Sequence, residues 1–338
     1  MASATPSWWT KPDWRAAALS PVAALYGFVA GRRMRGAKRQ PVDLPVLCIG
    51  NFTVGGSGKT PTAIVFAETA KRLGLSPGIL SRGHGGSFSK PHIVDPRRDS
   101  ARLVGDEPLL LARAAPVAVT ADRVSGARLL AGRGCDFLIM DDGFQSAHLH
   151  MDYALLVIDA RYGLGNGRIF PAGPLRADLV DQMRFATALL VMGQGDAADE
   201  TIRAAARAGR PVFRAGVRPV GNLVGRRYLA FAGIGHPEKF FDTVAAAGGE
   251  VVLTRSFADH HVYGDDELRV LARVAEKEGL RIVTTAKDAV RIGAERLGAM
   301  QPVPVDVLEI EAVFDVEDTP KRVIEAAVTA ARQRKSKG

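Results

Sequence analysis

The chain has 338 residues, 47% of them hydrophobic, and a formal net charge of +9, enough apolar material for one large or two modest cores. The charge sits at the ends, with +6 over residues 1–40, +4 over 332–338 and −1 over the body, so no nucleic-acid partner is expected. Two cysteines, Cys48 and Cys135, each inside an apolar run, argue against a disulfide framework or a zinc cluster and suit buried thiols in a reducing compartment.

The N-terminal segment holds every tryptophan, Trp8, Trp9 and Trp14, followed by an apolar run over 16–31 that contains Pro21. That run is shorter than the roughly twenty residues a spanning helix needs. Its main basic cluster follows the apolar part, the reverse of a secretory signal. Leu19, Val22, Tyr26 and Val29 share one helical face, with Trp rings and Arg/Lys at its edges. The pattern predicts an amphipathic helix lying on an anionic membrane surface; packing on the protein's own core is the alternative.

From residue 44 strands and helices alternate. "LPVLCIG" reads as a buried strand, "KTPTAIVFAETAKRLG" as a helix and "SPGILSRG" as a second strand. Residues 84–105 are polar and broken by Gly and Pro, a surface excursion with one small strand at "HIVD". A helix at "DEPLLLARA", the strand "PVAVT" and a helix from Asp122 follow. The strands "DFLIMDD", "YALLVID" and "ATALLVM" come next. Such uniformly apolar strands belong in a parallel sheet covered on both faces. Near residue 220 the alternation restarts with "RRYLAFAGIG", a helix from Pro237, "EVVLTRSF", a helix over 265–279, "LRIVTTAKD", "VPVDVLEIE" and a last helix over 319–332. The expected fold is α/β, a P-loop NTPase-like, mostly parallel sheet over 41–222. A smaller α/β domain would span 223–338, after a membrane-associating segment at 1–40.

Five groups of residues can carry chemistry. "NFTVGGSGKT" places Thr53, Val54, Gly55, Gly56, Ser57, Gly58, Lys59 and Thr60 between a strand and a helix. Backbone amides there can curl around phosphate oxygens at a helix N-terminus, with Lys59 on the β/γ-phosphates and Thr60 on Mg²⁺. A glycine-rich strand–helix turn is the plain alternative, but it leaves the Lys-Thr pair unexplained. Thr53 stands where the usual loop has its leading glycine, so the entry must suit a β-branched residue. "FLIMDDGFQ" ends a strand in Asp141 and Asp142, adjacent carboxylates that make sense around a cation. Asp106 and Glu107 open a helix, where capping is the ordinary role. Asp259-His260-His261 offers an acid/base group in which either imidazole could face inward. Arg82, Arg123 and Arg176 follow strands or open helices and could clamp an anionic acceptor, although each alone reads as a solvated charge.

Taken in order, "GNFTVGGSGKTPT", "LSRGHGG", "VGDEP", "DDGFQ", "PAGPLRADL", "FADHH" and "TTAKDAVR" resemble the tetraacyldisaccharide 4′-kinase family over about residues 14 to 325. In that family Thr or Ser is normal at the first loop position. The resemblance implies transfer of the ATP γ-phosphate to the 4′-hydroxyl of an acylated glucosamine disaccharide 1-phosphate, giving lipid IVA in lipid A synthesis. It places the protein peripherally on the cytoplasmic face of a bacterial inner membrane, with ATP and Mg²⁺ required; no protein partner is inferred. Carried over, Lys59 and Thr60 handle nucleotide and Mg²⁺. Glu107, Asp141, Asp142 and Gln145 surround metal and phosphates, and Asp106 with His260 deprotonates the sugar hydroxyl. Arg82, Arg123 and Arg176 contact phosphates. His84, Ser146 and Ala177 depart from the family pattern, the last removing a carboxylate that Asp178 could replace. The competing expectation is a membrane-surface P-loop ATPase, which would leave an Asp–His base without a task.

Overall fold

The computed structural model describes residues 6–83, 86–88, 90–146 and 148–337. In chain order the elements are α1 (Trp14–Ala18), α2 (Ser20–Gly36), β1 (Val46–Asn51), α3 (Lys59–Arg72), β2 (Pro77–Ser81), β3 (His92–Ile93) and α4 (Ala101–Val104). Next come α5 (Asp106–Leu111), β4 (Val117–Val119), α6 (Arg123–Ala131), β5 (Phe137–Asp141), β6 (Tyr153–Asp159), α7 (Leu179–Phe185), β7 (Ala188–Met192), α8 (Asp199–Arg207) and β8 (Val212–Val220). The remainder comprises β9 (Arg227–Ala232), α9 (Pro237–Ala246), β10 (Glu250–Ser256), α10 (Asp265–Lys277), β11 (Arg281–Thr285), α11 (Ala286–Ile292), α12 (Ala294–Gly298), β12 (Val305–Phe314) and α13 (Thr319–Ser336).

The strands join in one twelve-stranded sheet among the described residues, ordered β10-β9-β11-β12-β8-β7-β6-β1-β5-β2-β4-β3. Pairing is parallel except for β12 with β8 and β3 with β4. The sheet is therefore mostly parallel, and the antiparallel β8–β12 pair links its larger and smaller parts. β1 lies between β5 and β6, and its register sets Ile49 opposite Asp141. The phosphate-loop strand and the carboxylate strand thus end side by side, at the carboxyl edge where α/β sheets bind ligands.

Alternation along β1 decides which core each side chain enters. Leu47 and Ile49 pack with Phe66 of α3, Phe314 of β12 and Val323 of α13. Val46 and Cys48 face the other way, toward Met34 of α2, Leu130 of α6 and Met183 of α7. Phe66 is fully buried and meets Phe314 edge to face, centroids 5.8 Å apart. This contact fastens the phosphate-loop helix to the strand leading back from the smaller part. That part has its own cores, Leu229, Phe231, Leu271 and Ile282 on one side and Tyr228, Val244 and Val283 on the other. Both cysteines are buried and free.

Several elements differ from the sequence expectation. The predicted strand "LRIVTTAKD" ends at Thr285, because the Thr285 hydroxyl accepts from Asp288 N at 3.0 Å and caps α11. Helices α7 and α8 and strand β8 were not anticipated. In α2 the residues that face the protein are the small Ala23, Gly27 and Gly31, with Met34 at the end of that face, and a Cβ on Gly27 would lie 2.6 Å from Ile169 Cδ1. The large apolar side chains Val22, Leu25, Tyr26, Phe28 and Val29 remain exposed, Leu25 at 66%. Trp9, in contrast, is buried against Phe170. Among the described residues no helix is long and apolar enough to cross a membrane.

Candidate active site

The loop after β1 begins extended rather than turned. Thr53 forms an antiparallel bridge with Leu175, and Val54 N donates to Pro174 O at 2.8 Å. A β-branched residue suits this conformation, which is why Thr serves where a glycine is usual. The left-handed positions come later, at Gly55 (φ 117°) and at Gly58 (φ 90°), the N-cap of α3. The left-handed backbone favours glycine at Gly58, where a Cβ would also crowd the Met192 side chain at 3.0 Å. Gly56 carries no side chain to block the loop mouth, and Ser57, Lys59 and Thr60 are buried. Lys59 Nζ sits 3.7 Å from Asp142 Oδ1.

Asp141 is 1% exposed, and neither of its carboxylate oxygens has a hydrogen-bond partner; Asp142 Oδ1 and Ser57 Oγ also lack one. Burial, reinforced by Glu107, pushes the Asp141 pKa up to about 7. Asp142 moves the other way: burial opposes ionisation, but Lys59 and Arg176 outweigh it. Buried carboxylate oxygens without donors are costly, and their chemistry fits a hard cation bound through oxygen. Among the described residues no three His, Cys, Asp or Glu side chains converge into a metal cage. Mg²⁺ does not need one, since it commonly takes one or two carboxylates with phosphate oxygens and water. Asp141, Asp142 and the Thr60 hydroxyl therefore fit Mg²⁺.

Asp106 and His260 are brought together from different parts of the chain. Asp106 opens α5 at 4% exposure, and His260 Nδ1 lies 3.3 Å from its Oδ2. Burial works against the Asp106 charge, but the His260 hydrogen bond and the nearby Arg291 and Lys287 charges hold its pKa well below the usual carboxylate range. The Asp106 hydrogen bond in turn raises the His260 pKa, against burial. His261 points elsewhere: its Nε2 is 3.0 Å from Glu267 Oε2, and its ring stacks on Phe257. Among the described residues the non-glycine ones with left-handed backbone are Asp142 (φ 49°) and His260 (φ 57°), and both stand at this site, where such strain tends to gather. A cleft of about 1160 Å³ opens beside Asp106 and His260.

The other candidates are placed as follows. Glu107 is engaged by Lys287 Nζ at 2.5 Å, so its carboxylate is shared with a cation from the smaller part. Arg176 donates from Nη2 to Asp142 Oδ2 at 3.0 Å and from Nε to Thr53 O at 3.0 Å, tying the loop entry to the carboxylate strand. Gln145 Nε2 donates to Asn51 O at 2.9 Å, which braces the end of β1. Arg123 is buried, donates to Thr120 O at 3.2 Å and is electrostatically coupled to Asp141. Arg82 is exposed just beyond β2. Ala177 is buried, and Asp178 caps α7 by accepting from Val180 N, so its carboxylate already has a structural task. His84 lies outside the described residues. Lys287 and Arg291 went unassigned in the sequence. Their signals are the i,i+4 spacing within "AKDAVR", directly after a strand, and the place of that stretch among the motifs of the family resemblance.

A family model described as tetraacyldisaccharide-1-P 4′-kinase (LpxK) matches residues 15–329. The chain is 61% identical over 337 residues to the tetraacyldisaccharide 4′-kinase of Mesorhizobium japonicum, covering 98% of each chain. It is 58% identical over 316 residues to that of Brucella ovis, covering 93% of this chain and 91% of the other. Its fold is similar to apo-form LpxK from Aquifex aeolicus, solved in complex with ATP, with a TM-score of 0.72 and 26% identity over 93% of this chain and 99% of that one. With a family match over nearly its whole length, and a phosphate loop, paired carboxylates and an Asp–His pair at one sheet edge, the chain belongs to the tetraacyldisaccharide-1-P 4′-kinase family.

Proposed function

We propose that this kinase acts at a membrane surface and that the residues above divide the work of moving the ATP γ-phosphoryl group to the 4′-hydroxyl of a tetraacyldisaccharide 1-phosphate. The amides of residues 54–60 and the Lys59 ammonium hold the triphosphate. Asp141, Asp142 and Thr60 hold Mg²⁺, which when bound neutralises charge on the phosphate oxygens; Glu107 and Gln145 flank that region. Arg82, Arg123 and Arg176 contact phosphates of nucleotide or acceptor. A sugar hydroxyl is a weak nucleophile, so the Asp106–His260 pair takes its proton as the oxygen–phosphorus bond forms and the bond to the ADP oxygen breaks. The remainder of the catalysis is positioning and charge neutralisation.

The observation that carries this reading is the 3.3 Å approach of His260 to Asp106 beside the phosphate loop. An ATPase of the positioning or transport-assisting class has no use for that pair, and family membership over residues 15–329 does not favour it. The division into 1–40, 41–222 and 223–338 is supported by the smaller part's own cores around β9, β10 and β11, except that the end of β12 and α13 pack into the larger core through Phe314, Val323 and Ala327. Docking on the cytoplasmic membrane face is supported by the exposed apolar side chains of α2 and the basic residues after them. The test incubates [γ-³²P]ATP with detergent-dispersed disaccharide 1-phosphate and separates products by thin-layer chromatography. Label in a slower-migrating lipid is expected; label in free phosphate alone overturns the reading.

A further inference from the structure

Arg291 of α11 has no part in the phosphate loop or the metal carboxylates, yet its guanidinium is buried against Asp106. Nε and Nη2 donate to Asp106 Oδ2 at 2.8 and 2.5 Å, while Nη1 donates to Gly233 O at 2.6 Å and Asp288 Oδ1 at 2.7 Å. Asp288 is itself immobilised: it is fully buried and accepts from Tyr263 Oη at 2.8 Å, Thr285 Oγ1 at 2.6 Å and Gly233 N at 3.1 Å. Gly233 O also accepts from His260 N at 3.2 Å. One carbonyl therefore anchors both the guanidinium that grips Asp106 and the main chain of the histidine that faces it.

We propose that Arg291 is the positioning residue that assembles the Asp106–His260 pair across the junction between the larger and smaller parts, a proposal that rests on reading this pair as the base. Both groups that reach Asp106 Oδ2, Arg291 and His260, belong to the smaller part. The remaining Asp106 oxygen accepts from Glu107 N at 2.9 Å, within its own helix. A planar fork held at one end by Gly233 and Asp288 fixes where the carboxylate points. A lysine in its place would keep the charge and lose the fork. Arg291 touches neither substrate nor reacting atoms in this scheme. It acts through Asp106.

The experiment measures kcat and both KM values in the lipid-labelling assay for wild type, Arg291→Ala, Arg291→Lys and Asp106→Ala, with and without guanidinium at non-denaturing concentration. A lost orienting group shows in kcat, so Arg291→Ala should lose about 100-fold in kcat with KM values within about threefold of wild type. Guanidinium should restore about tenfold or more in Arg291→Ala and nothing in Asp106→Ala, and Arg291→Lys should fall between. The proposal is overturned if Arg291→Ala keeps kcat within about threefold of wild type while Asp106→Ala is inactive. It is equally overturned if the loss resists both guanidinium and lysine, as mere structural damage would. Full activity in Asp106→Ala would instead remove the base reading, and this proposal with it.

Discussion

Asp106 and His260 meet at 3.3 Å although one opens α5 of the larger part and the other follows β10 of the smaller. On the proposed reading this pair is the proton acceptor, and its neighbours take distinct roles that can be tested one by one.

Replacing His260 or Asp106 by alanine should lower kcat by about 10²- to 10⁴-fold, the usual contribution of a positioned acid or base, while leaving the KM for ATP nearly unchanged. His261→Ala should stay close to wild type, because its imidazole is engaged with Glu267. Steady-state kinetics with labelled ATP check both statements. An inactive His261 variant beside an active His260 variant would reverse the assignment.

The pH profile follows from the direction of the His260 shift. The Asp106 hydrogen bond raises its pKa, so the imidazole keeps its proton to higher pH than the usual value of about 6.5. The base is available only above that raised value, and kcat/KM should fall as pH drops through a limb lying above about 6.5. Asp106→Asn removes the carboxylate, and whatever activity survives should show its limb at lower pH.

Asp141→Asn removes one of the buried oxygens that lack a partner. The neutral amide is a poorer ligand for a hard cation, so the Mg²⁺ concentration giving half-maximal rate should rise by about tenfold or more. Thermal stability should hold or increase, since a buried charge without a donor is lost. Magnesium titration of the rate and a melting curve measure the two effects separately.

Leu25→Glu with Phe28→Glu places charge on the exposed apolar side of α2. Neither residue is buried, so the fold should lose no more than about 0.5 kcal/mol each, whereas sedimentation with anionic vesicles should drop sharply. Unchanged sedimentation would remove the membrane role from this helix.

Much of this architecture was legible because the sequence signals were local. β1, the glycine positions and α3 follow one another within a single stretch, and the apolar run ending in Asp141-Asp142 has no other comfortable place than a buried strand edge. The Asp106–His260 pairing came from resemblance, since spacing alone could not choose between two adjacent histidines. Arg291 and Lys287 were missed because their partners lie far away in the chain; a helix with i,i+4 cations ordinarily faces solvent. The end of β11 was misplaced for a local reason, as Thr285 suits a strand equally well until its hydroxyl accepts Asp288 N. In α2 the face toward the protein is built from Ala23, Gly27 and Gly31 with Met34, while Leu25 and Phe28 join Val22, Tyr26 and Val29 in exposure, a wider apolar surface than the periodicity marked out.

The most direct measurement is lipid phosphorylation by Lys59→Ala. Lys59 is buried at the start of α3 and lies 3.7 Å from Asp142, where the proposed reading places the triphosphate. The account predicts a folded protein whose kcat/KM falls by about 10³-fold or more, the scale of a lost charge clamp on a transferring phosphoryl group. Wild-type rates of labelled lipid formation from that variant would contradict it.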